Sequence, residues 1–112
     1  MFVEAGSTLP TSLQLKYLAY KNLGDAYFKM ERLRKAAKYL VEATLIDSKD
    51  IPTWFRIGDI GMQMLNLQLA RNSFEMAVTL KPDHWPSVAR LISVLFILGT
   101  KFEDSYSMTT SL

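Results

Sequence analysis

The sequence predicts an all-α fold, and an internal repeat of 34 residues is the main reason. Gly24 and Gly58 lie 34 residues apart, and shifting the chain against itself by that distance aligns other residues of matching character. The aligned pairs are Tyr20 and Trp54, Leu23 and Ile57, Ala36 and Ala70, Leu40 and Phe74, and Ala43 and Ala77. Apolar residues recur at helical spacing around these positions, so each repeat is predicted to be a pair of helices.

A period of about 34 residues is typical of tetratricopeptide repeats, each of which is a pair of antiparallel helices. The predicted repeats span about 17–50 and 51–84, with an incomplete third repeat over 85–98. We therefore predict a solenoid fragment of about two and a half repeats and five helices, over residues 12–98. Such arrays hold other proteins and are seldom catalysts.

The first repeat contains two predicted helices. The first helix begins at Thr11 or Ser12, either of which could cap it. Its predicted buried stripe consists of Leu15, Ala19, Leu23, Ala26, Tyr27 and Met30. The second helix begins at Leu33 and ends near Asp47, because the polar segment 48–52 follows.

The second repeat is predicted in the same way. Its first helix covers about 53–65, with Trp54 and Ile57 on the inner side. Its second helix begins near Leu67 and stops at Pro82, because proline cannot continue a helix.

The fifth helix opens a third repeat that the sequence does not complete. Asp83 can cap this helix, Pro86 suits its first turn, and the helix reaches about Leu98. A further helix would need alanine where Asp104 stands, so residues 99–112 are predicted to be an irregular tail.

Both ends of the predicted array differ from its middle. Residues 1–11 are predicted to be a loose lead-in, since they contain Gly, Ser, Thr and Pro. Residues 91–98 are apolar almost all round, so a partner chain, self-association or further repeats would have to cover the helix 85–98. We therefore expect the chain to be a fragment or short form of a longer array.

Each repeated position has a predicted packing role. The predicted packing residues are Tyr20, Leu23, Gly24, Tyr27, Ala36, Leu40, Ala43, Trp54, Ile57, Gly58, Ala70, Phe74, Ala77 and Pro82. The two glycines allow helices to approach closely, because any side chain there would force them apart. The aromatic residues Tyr20 and Trp54 are expected to fill the space inside their repeats. Leu40 and Phe74 are expected to fill the core between repeats, and Ile92 replaces the glycine of the third copy.

The composition excludes most catalytic and metal chemistry. The chain has no cysteine and a single histidine, His84, so no metal site, cofactor or catalytic residue is predicted. One alternative is an enzyme in which Asp25 and Asp59 face each other and act as acid and base.

The distribution of charge indicates the class of partner. Although the net charge is only +2, residues 16–38 are strongly basic, which favours an acidic protein partner. Nucleic acid is not expected, since no aromatic platform accompanies these charges in the sequence.

A peptide-binding groove is the predicted functional site. In this repeat class the first helix of each pair lines the concave surface of the array. The predicted lining is Lys21, Asn22, Asp25, Phe28, Lys29, Phe55, Arg56, Asp59, Met62 and Arg90, with Phe96 beyond them. This mixture suits an extended or helical acidic and apolar segment. A chaperone-tail carboxylate is disfavoured, because Asp25 and Asp59 would repel it.

Two sequence stretches resemble a known family. These are Tyr20-Lys-Asn-Leu-Gly-Asp25 and Lys81-Pro-Asp-His-Trp-Pro86, and Leu69-Ala-Arg-x-x-Phe-Glu75 matches as well. Together they resemble the N-terminal repeats of the calcineurin-binding cabin family. The resemblance covers about 17–98, and the tail after Gly99 does not match.

The resemblance implies a nuclear scaffold within a histone chaperone complex of the HIRA type, which deposits histones independently of replication. Its expected partners are other subunits of that complex. The calcineurin-binding segment of this family lies far toward the C-terminus, so calcineurin inhibition is not expected of this chain. The alternative is a cytosolic co-chaperone or assembly adaptor. Neither a signal peptide nor a membrane span is predicted, because the longest apolar run is too short.

Overall fold

The computed structural model of the chain describes residues 9–110, and side chains are described for residues 9–99. The helices are α1 (Thr11–Lys29), α2 (Leu33–Ile46), α3 (Ile51–Gln63), α4 (Leu67–Leu80) and α5 (Trp85–Thr110). Each helix packs against the next one along the chain, and the described range contains no strand. The predicted all-α architecture of five helices is therefore confirmed, and its arrangement is that of a helical repeat.

The two helical hairpins are closed by turns of the same geometry. Glu31, between α1 and α2, and Leu65, between α3 and α4, both have left-handed backbones, with φ of 61° and 59°. In the first turn the amide of Arg32 donates to the carbonyl of Tyr27 at 2.9 Å, and the amide of Asn66 makes the equivalent bond in the second turn at 2.8 Å. The 34-residue period therefore holds for the backbone as well as for the side chains.

Leu65 is expected to weaken the fold through its backbone conformation. A left-handed backbone costs a non-glycine residue roughly 1–2 kcal/mol, and the Leu65 side chain is 83% exposed. Leu65→Gly should therefore raise the free energy of unfolding by about 0.5–1 kcal/mol, as measured by urea denaturation. The same substitution at Leu45, an exposed residue inside α2, should lower it by up to about 1 kcal/mol. A lower free energy of unfolding in both variants would contradict the inference that the backbone at Leu65 is strained.

The core lies between consecutive repeats and is divided into two clusters. The first cluster joins α2 to α3 through Leu40, Ile57 and Ile60, together with two alanines of α2. The second joins α4 to α5 through Phe74 and Val94, together with Ala70. Leu40 and Phe74 hold equivalent positions in the two clusters, so each repeat is fastened to the next by the same part of its second helix.

Gly24 and Gly58 make room for these two core side chains. A Cβ atom at Gly24 would lie 2.5 Å from Cδ2 of Leu40, and one at Gly58 would lie 2.5 Å from a ring carbon of Phe74. At Gly61 the close neighbour is instead backbone, because a Cβ atom there would lie 2.8 Å from the amide nitrogen of Ala70. Gly24 and Gly58 thus leave space for a neighbouring side chain, and Gly61 leaves space for the backbone of the next helix.

The predicted buried stripe of α1 is wrong except at Tyr27, which packs against the core cluster of α2 and α3. Leu15, Leu23 and Met30 are 63%, 41% and 58% exposed, whereas Tyr17 and Gly24 are buried. The reason is that α1 packs mainly on α2, and no other helix of the described residues covers its far side. Leu23 therefore makes no core contact of the kind its position in the repeat predicted.

The predicted helix end at Leu98 is also wrong, because α5 continues to Thr110. Residues 99–110 contain no proline, and Gly99 weakens a helix by about 1 kcal/mol without ending it. The irregular tail predicted from 99 onward is therefore helical as far as Thr110. The lead-in 1–8 and residues 111–112 lie outside the described residues.

Three further boundaries differ from prediction. Pro10 precedes α1, so neither Thr11 nor Ser12 caps it. The third helix begins at Ile51 rather than at 53, with Pro52 in its first turn, where a missing amide hydrogen does no harm. The residue before α5 is His84 rather than Asp83.

Candidate functional site

The first helices of the repeats are joined by two arginine–aspartate pairs. Arg56 on α3 lies 3.9 Å from the carboxylate of Asp25 on α1, measured from Nη1 to Oδ1. Arg90 on α5 donates to the carboxylate of Asp59 on α3. In each pair the arginine follows its aspartate by 31 residues, and the two pairs are 34 residues apart. The same contact between neighbouring repeats is therefore made twice.

Both arginines also lie over an aromatic ring. The guanidinium carbon of Arg56 is 4.4 Å from the ring centroid of Phe28, and that of Arg90 is 5.0 Å from the centroid of Phe55. A cation–π contact of this kind stabilises by about 0.5–1 kcal/mol at an exposed site. We refer to Asp25, Phe28, Phe55, Arg56, Asp59 and Arg90 as the charge ladder.

Both carboxylates of the acid–base alternative belong to the charge ladder. Asp25 is matched with Arg56, and Asp59 lies between Arg90 and Arg56. Burial raises the pKa of Asp59, although both arginines oppose that rise. Each carboxylate is therefore engaged by an arginine, and the acid–base alternative for Asp25 and Asp59 stays a prediction.

A pocket of about 310 Å³ opens beside the ladder. Its lining is Pro52, Phe55, Arg56, Asp59, His84 and Pro86. The rings of His84 and Phe55 meet edge to face with 5.7 Å between centroids, and Nδ1 of His84 lies 2.7 Å from Oγ of the buried Ser87. His84 thus forms a wall of this pocket, a role that the sequence did not indicate.

Four predicted groove residues are not members of the ladder. Lys21 is paired with Asp50, at 2.8 Å from Nζ to Oδ2. Met62 packs against the core cluster of α4 and α5. Lys29 lines a second pocket of about 390 Å³ near the first turn together with Phe28 of the ladder, and Asn22 is exposed on α1. The groove as a binding site stays a prediction, and of these four residues Lys21 forms an ion pair while Met62 packs against the core.

Asp50 is an acceptor that the sequence analysis missed. Its Oδ2 accepts hydrogen bonds from Lys21 Nζ at 2.8 Å, from Thr53 Oγ1 at 2.9 Å and from the hydroxyl of Tyr17. Burial tends to raise the pKa of Asp50, but these three donors outweigh burial and hold it below its usual value. Burial and the neighbouring carboxylate raise the pKa of Tyr17 well above its ordinary value. The cluster fastens α1 to the start of α3.

This cluster predicts a pH dependence of stability. The folded-state pKa of Asp50 lies below its unfolded value of about 3.9, so its contribution is present above that pH and is lost as the pH falls through the folded value. Asp50→Asn should therefore lower the free energy of unfolding at pH 7 and flatten its decline below about pH 5. Urea denaturation between pH 7 and pH 3 measures both effects.

Asp83→Asn is the matched control for Asp50→Asn. The Asp83 side chain is 71% exposed and meets only Lys81, at 3.2 Å, so the decline at low pH should persist in this variant. An equal change in the two variants would contradict the role given to Asp50.

The described part of the chain shows no sign of a metal site or a membrane span. Within it, no three histidine, cysteine, aspartate or glutamate side chains are grouped so as to hold a metal ion. None of its helices combines the length and the apolar character needed to cross a membrane.

The chain matches a family and a curated relative. Residues 2–107 match the model of the CABIN1 N-terminal domain. The chain is also 28% identical, over 87 residues, to calcineurin-binding protein 1 of Arabidopsis thaliana. Those residues are 76% of this chain but only 5% of the plant protein, so the chain spans a small part of that relative's length. The family match confirms the resemblance, extends it into the tail expected to be unmatched, and shows that this chain belongs to the CABIN1 N-terminal domain family.

Proposed function

We propose that this chain is a non-catalytic protein-binding scaffold of the tetratricopeptide type, with the charge ladder as its binding surface. The observation that carries the proposal is the recurrence of one arginine–aspartate pair across three successive first helices, with each arginine also lying over a phenylalanine ring. Membership of the CABIN1 N-terminal domain family supports it, and the plant relative is named for binding another protein. A repeated surface of this kind suits an extended partner that meets equivalent groups in successive repeats.

The chemistry of the ladder indicates the kind of segment that it would bind. A guanidinium has five N–H donors, and one carboxylate engages at most two of them, so Arg56 and Arg90 keep donors for a partner's carbonyl or carboxylate oxygens. The neighbouring pocket has proline and phenylalanine walls that suit an apolar side chain. An extended or helical segment with alternating acidic and apolar residues satisfies both features.

We further propose that the scaffold acts in the nucleus, as part of a histone chaperone complex in replication-independent chromatin assembly. Support comes from the resemblance of the two motifs around Gly24 and His84 to the cabin family, and from the match over residues 2–107. The partners proposed are other subunits of that complex.

Affinity capture tests both parts of the proposal. The tagged chain is used to capture proteins from nuclear and cytosolic extracts in parallel, and mass spectrometry identifies them. Recovery of histone chaperone subunits from nuclear extract is the expected result. Their absence would contradict the nuclear proposal, and selective recovery of cytosolic chaperones would favour a co-chaperone instead.

A matched pair of arginine variants tests the ladder. Arg56 on the ladder and Arg71 on α4 are both 38% exposed, and each faces a carboxylate. Arg56→Gln should lower recovery of the partner severalfold, whereas Arg71→Gln should leave it unchanged. Equal loss in both variants would remove the ladder from the proposal while leaving the scaffold role intact.

A further inference from the structure

A contiguous apolar stripe runs along the uncovered side of α1. It consists of Leu15, Ala19, Leu23, Ala26 and Met30, which follow one another at intervals of three or four residues and so lie on one face. Its three large side chains are between 41% and 63% exposed, and both alanines are exposed as well. A helical stripe of this spacing is normally covered by another helix.

Three stacked tyrosine rings border this stripe. Tyr39 of α2 lies between two rings of α1, with its centroid 6.1 Å from that of Tyr20 and 5.6 Å from that of Tyr27. Lys16 lies over Tyr20 at 5.9 Å from the ring centroid, and Lys35 lies over Tyr27 at 5.5 Å. The column therefore carries positive charge at both ends.

The positive charge of this region is not compensated locally. Among the described residues, Lys21 is the one cation of α1, α2 and their connection that forms an ion pair. The cations outside ion pairs are Lys16, Lys29, Arg32, Arg34, Lys35 and Lys38, all of them exposed. Lys16 flanks the stripe on the tyrosine side and Lys29 flanks it on the opposite side, so each edge carries a basic group.

We propose that this surface, the α1 stripe with the tyrosine column and its lysines, docks an acidic amphipathic helix of another protein. The spacing of the stripe matches the seam of a two-helix contact, and Ala19 and Ala26 let a second backbone approach closely. Basic residues on both edges select glutamate or aspartate beside the partner's apolar seam. The surface is separate from the charge ladder, so it is tested separately.

Nucleic acid fits the same surface less well. Binding of single strands combines basic groups with ring faces on which bases stack. Here all three rings already contact another ring or a lysine ammonium, so the column offers no open platform. The apolar stripe would also gain nothing from a phosphate backbone.

Fluorescence anisotropy with a designed peptide tests the proposal. The probe is a labelled helical peptide with leucine at seam positions and glutamate on both flanks, compared with a scrambled peptide of the same composition. The full chain should bind the probe at least about tenfold more tightly than the scrambled peptide. Equal binding of the two peptides, or failure of the probe to bind, would overturn the proposal, as would tighter binding of a single-stranded oligothymidylate.

Two pairs of variants locate the contact. Leu23→Ser should weaken probe binding about tenfold, whereas Leu65→Ser, at an exposed leucine in the second hairpin, should leave it unchanged. Replacing Lys16 and Lys35 together by glutamate should weaken binding by a similar factor. The control replaces Lys49 and Lys81 by glutamate, which changes the net charge equally. An equal effect of the two charge variants, or binding that withstands Leu23→Ser, would overturn the proposed surface, and circular dichroism verifies that every variant is folded.

Discussion

Phe74→Ala is expected to lower the free energy of unfolding by about 3–5 kcal/mol, the range found when a buried phenylalanine is truncated. Phe74 is fully buried in the cluster that joins α4 to α5. Its ring also meets that of Phe55 edge to face, at 5.6 Å between centroids. The truncation removes these contacts and leaves a cavity that the surrounding helices can fill only in part. Urea denaturation at low temperature measures the loss.

Phe96→Ala is the matched control for this prediction. It is the same chemical change, but Phe96 is 73% exposed on α5, so the free energy of unfolding should change by no more than about 0.5 kcal/mol. The same variant should reduce binding of a hydrophobic dye, because Phe96 and Ile92 form the exposed apolar side of α5. Equal destabilisation by the two substitutions would contradict the position of the core.

The repeat period explains why so much of the fold could be predicted. Leu40 and Phe74 occupy one position of a repeated unit, and both are fully buried between consecutive helix pairs. Pro82 ends a predicted helix, and α4 stops at Leu80. A period constrains every copy at once, so a few matched residues determine the order and length of the helices.

The same patterns cannot tell whether a helix has a neighbour. The stripe of α1 has the spacing of a buried face, yet Leu15 and Met30 are exposed because no described helix lies over them. The spacing of residues shows that a helix has an apolar face, but that face is buried only where another helix packs against it. The end of α5 was mispredicted for a related reason. Residues after 98 no longer match the repeat, but the helix itself continues to Thr110.

The composition of the candidate site could be predicted, but its pairings could not. The position of Asp25, Arg56 and Asp59 on first helices follows from the period. That Arg56 meets Asp25 depends on how two repeats are stacked, which a sequence period does not specify. The bonds of Asp50 to Tyr17 and Lys21 span about 30 residues and were hidden for the same reason.

Gly58→Ala is expected to lower the free energy of unfolding by about 1–3 kcal/mol, although alanine is the better helix former. The added methyl group would lie 2.5 Å from the ring of Phe74, which is held on its other side by the core cluster. Gly99→Ala is the control, because nothing lies within 4 Å of the added methyl group. That variant should instead raise the free energy of unfolding, by about 0.5–1 kcal/mol. Urea denaturation of both variants measures whether their changes in the free energy of unfolding have opposite signs.

A double variant separates the steric cause from any other effect of Gly58→Ala. Phe74→Ala removes the three ring atoms that the methyl group would meet. Adding Gly58→Ala to Phe74→Ala should therefore cost at least about 1 kcal/mol less than adding it to the unaltered chain. The loss of stability caused by Gly58→Ala is smaller in the double variant only if Gly58 is required to leave space for the side chain of residue 74. Additive losses would mean that Gly58 is required for its backbone rather than for the ring of Phe74.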